Sequence, residues 1–141
     1  MRESFPWLRI YLDANVLISA SLSAHGTFRD LWRMRHVQPI TSAYAIEESR
    51  RHLNSVRLAR LDVFLTQTEI SGEPETSIIP ASITLVEKDR PILAAAIYSR
   101  ADYLLTGDKR HFNHLYNTVI ARVRVISPAE FVHLHIDRII H

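Results

Sequence analysis

Three aspartates in this chain stand at the same kind of place. Asp13 directly follows the apolar run LRIYL, Asp89 comes shortly after ITLV, and Asp108 follows DYLLT and one glycine. A glutamate pair, Glu47 and Glu48, lies about a turn into the segment after a fourth run, QPIT. Taken singly, each aspartate is explained as the N-cap of the next helix, worth about 1 kcal/mol. Pro91 strengthens that explanation for Asp89, since proline suits a first helical turn. Taken together they ask for more, because converging carboxylates repel and raise one another's pKa. A hard divalent cation is the natural compensation, and Mg²⁺ or Mn²⁺ prefers carboxylate oxygen with retained water. An ion so held activates water and stabilises charge on a phosphoryl oxygen, which is the chemistry of phosphodiester hydrolysis. Asn15, two residues past Asp13, can add an amide to such a site or serve only the start of a helix.

The elements that must position these acids follow from hydrophobic periodicity and its interruptions. LRIYL reads as a strand, NVLISASL and TFRDLWRMRHV as helices, QPIT as a short strand and SAYAIEESRRHL as a helix. A further helix covers Val56 to Ile70, and SGEPETSIIP is the one turn-rich interruption. Then come a strand ITLV, a helix PILAAAIYSRA, a strand DYLLT, a short helix KRHFNHL, a strand RVRVI and a closing helix PAEFVHLH. Parallel neighbours need a crossover helix, so this alternation implies an α/β fold, a parallel sheet with helices on both faces. In such a sheet the C-terminal ends of the strands share one edge, where ligands collect. All four acidic positions are expected along that edge.

The 141 residues, 47% hydrophobic and 23% charged, are expected to form a single domain spanning 1–141. The longest apolar runs fall far short of the roughly 20 residues of a membrane span, and MRESFPWLRI lacks the apolar core of a signal peptide. A cytoplasmic protein with no membrane partner is therefore expected. The absence of cysteine excludes disulfides, thiolate zinc sites and cysteine nucleophiles together. The net charge is only +2, yet Lys88 and Lys109 are the only lysines, and arginine's fork suits phosphate. Arg50, Arg51, Arg57 and Arg60 recur at roughly helical spacing, which describes a solvated helix face or a track for a nucleic-acid backbone.

Among eight histidines, His133, His135 and His141 lie near the C-terminus, and the HLH spacing points two of them to different helix faces. They are read as solvated or packed rather than as a zinc site. His111 and His114 stand on neighbouring turns just beyond Asp108, with His111 a candidate for substrate contact. Phe28, Leu31 and Trp32, at helical spacing, are read as core or dimer contacts rather than a base-stacking platform.

DANVLISA, SAYAIEESRRHL, KDRPILAAAIYSRADYLLTGDKRHF and VRVISPAEF, in that order, resemble the successive landmarks of the PIN-domain family over nearly the whole chain. The most specific part is Asp89 to Phe112: an acid, an alanine-rich helix, an apolar strand, then Thr-Gly-Asp. The resemblance implies a three-layer α/β/α sandwich and a VapC-like, Mg²⁺- or Mn²⁺-dependent ribonuclease. Such proteins are often homodimeric toxins of type II toxin–antitoxin pairs, so it implies an RNA substrate and a cognate antitoxin. By the same resemblance Asp13, Glu48, Asp89 and Asp108 are the metal-ligating, catalytic acids, with Thr106 a supporting polar group beside Asp108. Glu48 is preferred to Glu47 because Leu53 trails it by the five positions usual in the family. Ser49 departs from the commoner apolar residue after this glutamate. Arg50, Arg51 and Lys109 then become candidates for RNA phosphate contact.

Two other readings compete. A PIN-like module that binds RNA or protein and cleaves nothing would have little reason to keep repelling acids together. A phosphatase of the haloacid dehalogenase type would want an aspartate two residues after the first, where this chain has Asn15.

Overall fold

A computed structural model describes residues 7–22 and 26–140. Its centre is strand β1 (Leu8–Leu12), whose last three residues are buried. A near-continuous apolar run of this kind suits a parallel strand covered on both faces. The other strands are β2 (Val37–Ser42), β3 (Glu69–Ser71), β4 (Tyr103–Leu105), β5 (Val119–Ile120) and β6 (Val123–Ile126). They lie in the order β3-β2-β1-β4-β6-β5, all parallel except the edge strand β5, which runs antiparallel to β6. The helices are α1 (Ala14–Ser21), α2 (Ala43–Arg50), α3 (Ser55–Leu65), α4 (Arg90–Tyr98), α5 (Lys109–Phe112) and α6 (Pro128–Leu134). Helix α1 packs on α2 and α3, and α4 packs on β2 and β4. The architecture is the expected α/β fold with helices flanking a mostly parallel sheet. Among the described residues no helix is long and apolar enough to cross a membrane.

Four local expectations are corrected. ITLV is not a strand: residues 83–86 have no ladder partner and lead into a 3₁₀ turn, Glu87–Asp89. Leu85 alone of the four is buried, so the alternation reflects a loop laid on the core. The helix expected over Val56 to Ile70 stops at Leu65 because Thr66 and Thr68 hydroxyls bond the carbonyls of Val63 and Phe64. That frees Glu69 to Ser71 to pair with β2 as the unforeseen strand β3. TFRDLWRMRHV forms only a 3₁₀ helix, Thr27–Trp32, before Val37 joins β2. KRHFNHL is one short helix followed by a 3₁₀ turn, Asn113–Leu115.

Leu31 is fully buried, and Phe28 and Trp32 pack against the core. Trp32 donates its indole N–H to Thr68 and lies against the Phe64 ring. Helix α4 carries Ile92 to Ala96 wholly buried, small alanines letting it lie close to the sheet.

Strands β5 and β6 are joined by a two-residue turn in which Ala121 and Arg122 both have positive φ, 47° and 78°. Such a turn favours Asn-Gly, and L-residues with side chains are strained in it. Replacing Ala121-Arg122 with Asn-Gly is expected to stabilise the fold by about 1 kcal/mol, read as a higher urea midpoint with unchanged slope.

Candidate metal centre

Chain order reverses at β1: the strands before α4 build out on one side of it, and β4 returns to the other. Ligand crevices in open α/β sheets form at such a switch point. Leu12 lies opposite Leu105, so the residues that follow, Asp13 and Thr106, leave the sheet together. Asp13 Oδ1 accepts from the Ala14 amide at 2.6 Å. Its Oδ2 accepts from Thr106 Oγ1 at 2.8 Å and from the Asn15 side-chain amide at 3.3 Å. Thr106 Oγ1 in turn accepts from the Asp108 amide at 3.0 Å, and Asn15 Oδ1 from the Gly107 amide at 2.8 Å. The two strand ends are thus stitched by side chains whose donors and acceptors are all used. Gly107 has an ordinary φ; what it supplies is space, since a Cβ there would sit 3.3 Å from Asn15 Oδ1.

The three aspartates divide between capping and other work. Asp108 is a true N-cap, its Oδ1 accepting from the His111 amide at 3.1 Å. Asp13 caps only in part, through Ala14. Asp89 begins α4 yet makes no side-chain capping bond. It reaches the sheet edge from its loop rather than from a strand end. That loop is held by the Tyr44 hydroxyl bonding the Lys88 carbonyl and by His114 Nε2 at 2.6 Å from the Thr84 carbonyl.

Asp89 turns its carboxylate toward α5. His111 Nδ1 lies 2.8 Å from Asp89 Oδ2 and 2.9 Å from Asp108 Oδ2. Neither approach has the angle of a hydrogen bond. Among the described residues, the buried side-chain atoms left without one are Asp89 Oδ2 and His111 Nδ1. Asp89, Asp108 and His111 each offer a donor atom within 4.8 Å of the others, a set that fits a divalent cation. The sequence reading placed His111 near Asp108 as a substrate contact and missed this convergence, for which its position three residues after a capping aspartate is the only sequence signal.

Glu48 lines the same cleft of about 310 Å³ with Asp13, Asn15, Asp89 and Asp108, whereas Glu47 is exposed and is not among the lining residues. Ala14, Ile18, His52, Lys88 and Gly107 complete that lining. Burial pushes the Asp13 carboxyl up to about 6, the bonds from Thr106 and Ala14 opposing and the charges of Asp89 and Glu48 adding. Burial also raises Asp89, opposed by Lys88 and His111 and reinforced by Asp108. Both shifts express negative charge held out of water with too little positive charge beside it.

The unusual serine after Glu48 is accommodated, because buried Ser49 donates to the Ala45 carbonyl at 2.7 Å. The arginines of the helical track are partly occupied with the fold. Arg50 pairs with Asp62 at 3.2 Å and Arg60 bonds the carbonyls of Ser21 and Leu22 at the end of α1. Arg51 and Lys109 are exposed, Lys109 directly beside Asp108. His135 packs against Phe131 and Tyr103, His133 is exposed, and His141 lies outside the described residues.

The sequence pattern of the PIN domain matches residues 9–110 of this chain. No curated protein matches it significantly. Among solved structures, VapBC2 from Rickettsia felis, bound to a DNA fragment from its promoter, is similar with a TM-score of 0.62 at 15% identity, covering 85% of this chain and 98% of that one. VapBC-1 from nontypeable Haemophilus influenzae gives 0.59 at 11% identity, covering 86% and 99%. Mycobacterium tuberculosis VapC20, described as a sarcin-ricin loop cleaving toxin, gives 0.50 at 17% identity, covering 70% and 91%. At such identities the likeness is one of fold. It agrees with the matched pattern, which runs from within β1 past Asp108, and on that ground this chain belongs to the PIN-domain family and has a VapC-like fold.

Proposed function

We propose that this protein is a metal-dependent endoribonuclease that hydrolyses RNA phosphodiesters at the cleft between the ends of β1 and β4. The observation that carries the reading is the convergence there of Asp13, Glu48, Asp89 and Asp108, with a buried Asp89 oxygen lacking any hydrogen bond. Asp13, Glu48, Asp89 and Asp108 would hold Mg²⁺ or Mn²⁺. When bound, such an ion polarises a phosphoryl oxygen and acidifies a water. Thr106 and Asn15 keep the Asp13 carboxylate in one orientation by donating to its Oδ2. Lys88, exposed at the cleft, and Lys109 beside Asp108 supply positive charge for RNA phosphates, and Arg51, with Arg50 at the edge of its pair with Asp62, extends it.

The VapBC likeness supports a finer version: a toxin that works as a homodimer and is restrained by a cognate antitoxin. The test of the central reading is cleavage of a structured RNA pool by the purified protein with Mn²⁺, with Mg²⁺ and with EDTA, beside Asp108→Asn. Cutting is expected with either ion and to vanish with EDTA and in the variant. Cutting that survives EDTA would sink the reading. Metal binding without cleavage of any RNA would favour a silent binding module instead.

A further inference from the structure

We propose that His111 is itself a ligand of the ion, through Nδ1. With Asp89 and Asp108 it would make a mixed nitrogen–oxygen site that selects a first-row transition ion such as Mn²⁺ over Mg²⁺. The inference rests on the reading of this cleft as a divalent-cation site and deepens it.

Three observations carry it. Nδ1 stands 2.8 and 2.9 Å from oxygens of two carboxylates without a hydrogen bond to either, and the three ligand atoms lie within 4.8 Å of one another. Asp89 is 7% exposed at its side chain, and its Oδ2 has no other partner. The Asp13 carboxylate, by contrast, has both oxygens engaged by Ala14, Thr106 and Asn15. The cation therefore gains most at the Asp89–Asp108–His111 corner, where unsatisfied donors already converge. Local structure forces His111 there: its own amide is the one that caps onto Asp108 Oδ1, which brings the ring back over Asp108 Oδ2.

The chemical consequence is selectivity. Mg²⁺ demands oxygen and dehydrates reluctantly, whereas Mn²⁺, although it too favours carboxylate oxygen, accepts an imidazole nitrogen as the other first-row transition ions do more strongly. A site with one nitrogen among its fixed donors gives Mn²⁺ an advantage that an all-carboxylate site withholds.

The experiment loads the purified full chain with Mn²⁺ and records pulsed electron spin-echo modulation from directly bound ¹⁴N. Calorimetric titration with Mn²⁺ and with Mg²⁺ runs alongside. Nitrogen modulation is expected in the wild type and in His52→Ala, the other imidazole lining the cleft, and its loss in His111→Ala and His111→Asp. His111→Ala should weaken Mn²⁺ binding roughly 10- to 100-fold. His111→Asp restores an oxygen donor, so it should bind Mg²⁺ and lower the Mn²⁺/Mg²⁺ affinity ratio about tenfold. Bound Mn²⁺ without nitrogen modulation in the wild type, or modulation that persists in both His111 variants, would overturn the proposal without touching the nuclease reading. No Mn²⁺ binding at all would overturn both. Nitrogen-coupled Mn²⁺ with no RNA cleavage would leave His111 as a ligand and remove the nuclease reading alone.

Discussion

Asp13→Asn is expected to slow RNA cleavage severely while making the metal-free protein more stable at pH 7. The folded-state pKa of about 6 lies above the ordinary 3.8, so the folded protein holds this proton more tightly than the unfolded chain does. For an acid raised in this way, folding is penalised as pH rises through that window, and the full penalty stands above it. The shift corresponds to about 3 kcal/mol of destabilisation at neutral pH. An asparagine keeps the shape and an oxygen to accept from Ala14 or Thr106 but carries no charge. Unfolding free energy by urea titration in EDTA should therefore rise by up to about 3 kcal/mol at pH 7, and the difference from wild type should close below about pH 4. Saturating Mn²⁺ should reverse the order, because the wild type gains more from binding the ion in its native state. Cleavage should fall roughly 10²- to 10³-fold, because the ion that stabilises charge on the phosphoryl group loses one of its carboxylates. A variant as unstable as wild type at every pH would show that the Asp13 carboxylate is not a stored electrostatic cost.

Thr106→Val should be the most damaging change to the site that touches no acid. Thr106 is fully buried, and its hydroxyl donates to Asp13 Oδ2 at 2.8 Å while accepting from the Asp108 amide at 3.0 Å. Valine has the same shape and fills the same space, so packing is preserved and only the hydroxyl is lost. The Asp108 amide then lacks its acceptor, and Asp13 loses the strongest contact opposing its raised pKa. Together these should cost about 2–4 kcal/mol in unfolding free energy. Activity should drop roughly 10- to 100-fold as Asp13 and Asp108 lose their common support. Thr106→Ser keeps the hydroxyl and gives up one buried methyl, about 1 kcal/mol, with cleavage retained. The two effects should also be coupled: in an Asp13→Asn background Thr106→Val should cost visibly less, which a double-mutant cycle measures. Equal behaviour of Val and Ser variants would remove the stitching role from Thr106.

Much of this site is written in local pattern. LRIYL, QPIT and DYLLT are short apolar runs followed by acids, and each proves to be a strand ending at the same edge of the sheet. Strand identity and the residue at its end depend on near neighbours in the chain, which is why Asp13 and Asp108 could be placed from the sequence alone. The same reasoning misplaced ITLV, because a loop laid on the core can alternate buried and exposed residues as a strand does. It missed β3 and β5, which are too short to show a period and exist only because β2 and β6 offer edges to pair with.

What the sequence by itself determined is an α/β alternation, the acids at its strand ends, and a glutamate pair on the helix after β2. What only the tertiary structure decided is which of these meet. Strand order set β4 beside β1 and so joined Thr106 to Asp13 across 93 residues of sequence. Loop packing carried Asp89 to the cleft without a strand, and helix rotation turned Glu48 inward and left Glu47 outside. The cap on Asp108 swung His111 between two carboxylates. All but that cap, which joins residues three apart, depend on contacts between segments distant in the chain, and periodicity, which compares a residue only with its near neighbours, holds no record of them.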